Sequence, residues 1–205
     1  MIAARIPEWE ALPRIEEVPQ PTPGDDEALL RVRAAALNPV DIFIASGRFY
    51  GPVPDPPYIA GAECVAEVVE APGLEPGTLV WNLGVHGGLA EYRVSPVDRL
   101  VPVPVGVSDE LAAAIGIAGV AGWMSVLGRG RLSTDETILV MGASGAVGQV
   151  AVQAAVSREA HVIAAARSSK GLARAKELGA HETVAIDDDF SEALSAAAPD
   201  GIDLA

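Results

Sequence analysis

The sequence is poor in cysteine, lysine, histidine and long apolar runs, and each shortage removes a class of protein. Cys64 is the single cysteine in 205 residues, which excludes an intrachain disulfide framework and fits a reducing compartment. One cysteine with His86, His161 and His181 scattered along the chain cannot supply the four close ligands of a structural zinc. Cys64 itself reads as a small buried strand residue rather than a ligand or nucleophile. Lysine and arginine number 14 against 28 aspartates and glutamates. The resulting formal net charge of −14 argues against a nucleic-acid backbone or an anionic membrane as partner. No apolar run approaches the ~20 residues that span a bilayer, and Met1 to Pro7 lacks a secretory apolar region. The expectation is a soluble, cytoplasmic protein. Half of the residues are hydrophobic and 20% are charged, the balance of a globular chain with room for two domains.

The most informative stretch runs from Ile138 to Val152, where an apolar strand enters a glycine-spaced turn and leaves as a helix. Such a turn brings bare backbone N–H groups against an anion at a helix N-terminus, where unpaired donors and the helix dipole favour negative charge. The candidate phosphate cradle is Gly142, Ala143, Ser144, Gly145, Ala146, Val147 and Gly148. Gly145 allows close approach of a diphosphate and Gly148 lets the helix lie tight on its strand, while Ala143 stands at the first glycine position of G-x-G-x-x-G. An ordinary tight strand-to-helix turn has the same glycines, so the flanking strand and helix carry the reading.

About 20 residues further on, an NAD site places an acidic residue against the ribose 2′-hydroxyl. Here the second strand, His161 to Ala166, is followed by Arg167-Ser168-Ser169-Lys170, and no acid lies between Glu159 and Glu177. Arg167 offers a planar fork for a 2′-phosphate, with Ser168 and Lys170 beside it. NADP(H) is therefore the expected cofactor in preference to NAD. Solvated surface charge is the other reading of Arg167 and Lys170, yet the chain has only two lysines and one falls here.

Along the chain the texture is β-rich first and α/β later. Residues 1–27 read as a proline-rich and acidic lead, followed by strands over 28–34, 62–70 and 89–94 with glycine and proline turns between them, which suits a small barrel. Near Ser108 the pattern becomes helical, with Asp109 and Glu110 in a first turn, apolar spacing from Leu111 to Ile115 and from Val120 to Leu127, and Gly128 as a stop. Strand and helix then alternate over 137–141, 146–157, 161–166, 169–178, 183–186 and 189–197, the signature of a parallel sheet with right-handed crossovers. Pro199 to Ala205 looks like a turn opening a fourth parallel strand that stops after about one residue pair, which marks a truncated product or fragment. A sheet left with such an edge invites pairing, and a homodimer is compatible with it.

The order of parts resembles the medium-chain dehydrogenase/reductase superfamily and, within it, the zinc-independent, zeta-crystallin-like quinone oxidoreductases. The resemblance rests on Ala35-Ala36-Leu37-Asn38-Pro39-Val40-Asp41, Ser46-Gly47-Arg48-Phe49-Tyr50, Gly61-Ala62-Glu63, Gly87-Gly88-Leu89-Ala90-Glu91-Tyr92, Ala118 to Trp123 and Gly142 to Gly148. It covers nearly the whole chain but only about two thirds of a typical member. It implies an α/β protein with a GroES-like β-barrel over residues 1–116 and the first half of a Rossmann domain over 117–205, the substrate lying between them. Zinc-dependent relatives carry a cysteine just before the Asp41 position and a histidine between the glycine and glutamate of the second motif. This chain has Val40 and Ala62 there, so no metal is expected. The implied activity is NADPH-dependent reduction of a quinone or other α,β-unsaturated carbonyl.

The resemblance puts Asn38 and Asp41 beside nicotinamide and substrate, and Asn suits that place because it donates and accepts at once. Asn38-Pro39 making a turn, with Asp41 capping Ile42 to Ser46, is the structural alternative. Tyr50, with Phe49, is the candidate for stacking on a planar quinone, although aromatics of a proline loop also simply pack. His86 reads as a loop histidine rather than a proton relay. Ala121 stands where relatives often place a cofactor-touching threonine, and Pro72 to Val80 is shorter than usual. Enoyl-thioester reduction is a variant of the same chemistry, and a non-catalytic, crystallin-like dinucleotide binder is the alternative from another class. A short-chain reductase is excluded, because Tyr50, Tyr58 and Tyr92 all lie far upstream of Lys170 and Lys176 and form no Tyr-x-x-x-Lys pair.

Overall fold

The computed structural model describes residues 1–205, whose internal contacts divide into two compact units, Met1–Ile117 and Ala118–Ala205. The first contains strands β1 (Ile2–Ile6), β2 (Arg14–Glu17), β3 (Glu27–Ala34), β4 (Tyr58–Ile59), β5 (Glu63–Glu70), β6 (Leu79–Leu83), β7 (Tyr92–Pro96) and β8 (Leu100–Pro102), with helices α1 (Pro39–Ala45) and α2 (Asp109–Ile115). Five of the strands form an antiparallel sheet in the order β7-β3-β5-β6-β8. Its register slips between Leu29 and Leu30 and again between Val32 and Ala34, and such irregularities bend a strand and increase its twist. The curl encloses Ala28, Leu30, Cys64, Ala66, Val68 and Val80, all but out of reach of water.

The expected small barrel thus takes the form of a curled sheet with a second, three-stranded sheet, β2-β1-β4. An Ala3–Ala90 bridge joins β1 to the segment before β7, and the Ala4 N–H donates to the Leu89 carbonyl at 2.8 Å. This corrects the reading of residues 1–27 as a mere lead. β1 pairs with β2 and β4, and only Ala3 and Ile6 of its five residues are buried, so alternation along the segment is too weak to announce a strand. The strand expected over 89–94 forms its ladder only from Tyr92 onward. Ser108 caps α2 as read, its hydroxyl accepting the Leu111 N–H at 3.2 Å.

Helix α3 (Ile117–Trp123) runs directly into a π-helical turn, Met124–Arg129, so Gly128 does not stop the helix but lies within it. The rest of the second unit alternates β9 (Thr137–Met141), α4 (Ala146–Val156), β10 (His161–Ala166), α5 (Ser169–Glu177), β11 (Glu182–Ala185) and α6 (Phe190–Ala197). The strands form a parallel sheet in the order β11-β10-β9. β10 is buried on both faces: Val162 and Ala164 join one apolar cluster with Val140 and Val152, while Ile163 and Ala165 join another with Leu139 and Val184. Two covered faces explain why this strand reads as a continuous apolar run. Leu204 makes one parallel bridge to Ile138, taking the slot beside β9 on the side away from β10.

Candidate functional site

Parallel pairing of β9 and β10 places their C-terminal ends side by side, and both candidate phosphate-binding segments leave from these ends. Gly142 follows β9 with φ +69°, a left-handed conformation that glycine adopts at no steric cost. The Ala143 N–H donates to the Ala165 carbonyl of β10 at 3.0 Å, and its side chain is fully buried. The Gly145 N–H donates to the Gly142 carbonyl at 3.0 Å. Gly145 caps α4 with no side-chain hydrogen bond, so the N–H groups of Ala146, Val147 and Gly148 open an eleven-residue helix without intrahelical acceptors. A Cβ on Gly148 would strike the Gly142 carbonyl oxygen and come within 2.8 Å of Ala143 Cα. The first turn of α4 therefore sits directly on the end of its strand. A Cβ on Gly145 would meet only the Gly142 oxygen, at 3.4 Å, so the space before that turn is open. Open space facing a row of free donors at a helix N-terminus fits a diphosphate.

One strand over, Arg167 and Lys170 are exposed and neither forms an ion pair. The Ser168 hydroxyl accepts the Gly171 N–H at 3.1 Å and so caps α5. A residue that sequence reasoning passed over joins the two segments: Gly171, where a Cβ would collide with Ser144 Cβ. Ser144 thus reaches from the glycine turn to the first turn of α5, and the second helix N-terminus adds to the positive end of the site.

In the first unit, Asn38 and Asp41 belong to one network around Glu63. Asn38 is the N-cap of α1 with Pro39 in its first position, and its N–H donates to Asp41 Oδ2 at 2.7 Å. Asp41 Oδ1 accepts the Ala62 N–H at 2.8 Å, so both carboxylate oxygens hold backbone. The Asn38 side chain donates from Nδ2 to Glu63 Oε1 at 2.6 Å. Glu63 is fully buried, and its Oε2 accepts from Trp81 Nε1 and from the Ile117 N–H, each at 2.8 Å. A Cβ on Gly116 would overlap that oxygen, so the missing side chain makes room for the carboxylate. Tyr50 stands apart: it is 97% exposed and its ring rests on Phe49 with centroids 4.5 Å apart. Burial pushes the Cys64 thiol above its ordinary pKa, against a smaller opposing effect of the Arg93 charge.

Residues 24–105 match the family model for the alcohol dehydrogenase GroES-like domain and residues 146–205 that for zinc-binding dehydrogenase. The chain belongs to the medium-chain dehydrogenase/reductase superfamily and is similar to the quinone oxidoreductases within it. It is 32% identical to a quinone oxidoreductase of Pongo abelii over 89% of its own length and 57% of that protein. To prostaglandin reductase-3 of Bos taurus it is 35% identical over 83% of its length and 45% of that protein. Among solved structures, the quinone oxidoreductase of Thermus thermophilus, described together with its NADPH complex, superposes with a TM-score of 0.80 at 33% identity. That match covers 89% of this chain and 59% of that one. The chain spans about half the length of the curated relatives it matches. No single helix is long and apolar enough to cross a membrane.

Proposed function

We propose that this family member is an NADPH-dependent, zinc-independent reductase that delivers hydride to a quinone or another α,β-unsaturated carbonyl. The observation that carries the cofactor reading is the glycine turn from Gly142 to Gly148 with the unpaired Arg167 guanidinium at the end of the adjoining parallel strand. N–H groups of Ala146, Val147 and Gly148 would hold the diphosphate, and Arg167 with Lys170 the 2′-phosphate. When bound, the reduced nicotinamide supplies a hydride, and the substrate also takes up a proton from solvent or a side chain.

For the chain's own residues, geometry divides the work. Asn38 uses an amide hydrogen on Glu63 and keeps its Oδ1 as an acceptor for a carboxamide or hydroxyl. Asp41, with both oxygens on backbone, is a positioning residue that fixes the start of α1. Exposed Tyr50, its ring tilted against half-buried Phe49, provides an aromatic surface for a planar substrate. The zinc-free reading is supported by Val40 and Ala62 at the positions where zinc-dependent relatives carry ligands, despite the name of the second family model.

The decisive experiment mixes the purified chain with NADPH and 1,4-benzoquinone after prolonged EDTA treatment. NADPH oxidation that EDTA leaves unchanged is the expected result. Binding of NADPH without turnover on quinones, enones or enoyl thioesters would replace this reading with a non-catalytic dinucleotide binder.

A further inference from the structure

A buried cation without a counter-charge lies elsewhere in the first unit. Arg93 of β7 is 8% exposed and takes part in no ion pair. Its hydrogen-bond acceptor is the Cys64 thiol, with Nη1 and Sγ 3.9 Å apart. Thiol sulfur is a weak acceptor, whereas a guanidinium carries five donors in a rigid plane. Removing such a charge from water is unfavourable unless an anion compensates it. In a chain with twice as many acidic as basic residues, no carboxylate fills that place.

The backbone makes room for the group instead. A Cβ on Gly84 would collide with Arg93 Nη2, and one on Gly87 would stand 3.7 Å from its Nε. Arg93 lines a cavity of about 630 Å³ formed within the first unit, and Arg5, Arg99 and His86 line it too. Arg99 is exposed and unpaired, while Arg5 is engaged with Glu16 at 3.3 Å. Glu27 also faces the cavity, and one of its oxygens accepts the Gly24 N–H at 2.9 Å. The His86 pKa lies below the ordinary imidazole value, first through partial desolvation and second through the Arg93 charge. The remaining walls are largely apolar or aromatic, among them Pro57, Tyr58, Ile59, Val85 and Val94.

We propose that this cavity binds a small organic carboxylate with an apolar or aromatic body, its carboxylate on the Arg93 fork and its body against the Pro57 to Ile59 wall. A planar fork matches a carboxylate in two parallel hydrogen bonds, and Arg99 at the rim adds attraction. Apolar walls favour a ligand with a hydrophobic body over a bare inorganic anion. The site uses none of the residues assigned to dinucleotide or substrate, so its occupation does not depend on the reductase reading.

Calorimetric titration of the full chain with naphthalene-2-carboxylate, with the neutral naphthalen-2-ylmethanol and with inorganic phosphate tests the assignment. The carboxylate is expected to bind at least about tenfold more tightly than either comparison compound, and Arg93→Gln to lower its affinity about tenfold or more. NADPH affinity should be unchanged by that substitution. Should Arg93→Gln fail to fold, exposed Arg99→Gln, with an expected loss of about threefold, and the acid-to-alcohol ratio in the unaltered chain decide instead. Equal affinity for acid and alcohol, or no binding of the acid at millimolar concentration, would overturn the proposal. Phosphate binding more tightly than the aromatic acid would overturn the ligand class.

Discussion

Asn38 Nδ2 lies 2.6 Å from Oε1 of Glu63, so a candidate substrate-facing amide is fastened by a fully buried carboxylate 25 residues later in the chain. The same carboxylate receives Trp81 and the backbone N–H of Ile117, and it thereby ties α1, β5, β6 and the last residue of the first unit to one point.

Because three donors converge on the Glu63 carboxyl group, Glu63→Gln keeps the shape but replaces one of the two acceptor oxygens by an NH₂ group. The expected loss is about 2–4 kcal/mol of stability, read by urea unfolding of the full chain. Asn38→Asp should be worse at neutral pH than Asn38→Ala, since it sets a second carboxylate on the first. A variant Asn38→Asp as stable as Asn38→Ala at neutral pH would show that the Glu63 contact is not formed.

Gly148 and Gly145 should respond to alanine in opposite ways. At Gly148 the methyl group meets the packed turn backbone of Gly142 and Ala143, so Gly148→Ala is expected to lower stability by about 2–3 kcal/mol. At Gly145 φ is −77° and the new methyl has only one neighbour at 3.4 Å, so stability should stay within about 0.5 kcal/mol. The same methyl would stand where the diphosphate must approach, and NADPH affinity should fall at least about tenfold. Thermal unfolding and fluorescence titration of the two variants separate the roles; a Gly145→Ala chain that binds NADPH normally would remove the diphosphate from this turn.

The difference between what the sequence announces and what it hides follows from range. The glycine turn, the alternating strands and helices from 137 to 197, and the Ser108 cap are local patterns, and each appears where its pattern lies. β1, β2, β6 and β8 are defined by their pairing, β1 with Tyr58 and Ile59 of distant β4 as well as with nearby β2, and only the folded sheets reveal them. Asn38 and Asp41 were legible as candidates, but that Asp41 is spent on two backbone donors was not, because Ala62 lies 21 residues away. Glu63 carried a signal that went unused: a lone acid at the head of the apolar run Cys64-Val65-Ala66 is bound to be buried with partners. Arg93, between Tyr92 and Val94 on a half-buried strand, carried the same signal with the opposite charge.

His86 should titrate below the ordinary imidazole range, owing first to partial burial and second to the Arg93 charge. A depressed value means that the folded chain holds the proton less well than the unfolded one. The neutral form's contribution to stability is therefore complete above about pH 6.5, the unfolded value, and is lost as pH falls from there through the folded value. Proton NMR of the imidazole should show the low value, and Arg93→Gln should raise it. A His86 that titrates normally, or that ignores the Arg93 substitution, would deny the coupling between the two side chains.

Arg167 provides the sharpest test of coenzyme choice, because it is exposed, unpaired and set at the end of β10 in a stretch, residues 160–176, that contains no acidic residue. Arg167→Ala should leave the fold intact, since a solvated side chain is removed. NADPH binding should weaken by about 1.5 to 3 kcal/mol for a lost charge-assisted bond, whereas NADH, which has no 2′-phosphate, should be almost unaffected. Raised salt should narrow the gap between the two coenzymes in the unaltered chain, since an exposed ion pair is screened. Lys170→Ala should act in the same direction with a smaller effect, as a point charge offers no bidentate fork. An equal loss for both coenzymes on Arg167→Ala would transfer the guanidinium from the 2′-phosphate to a part that NADPH and NADH share.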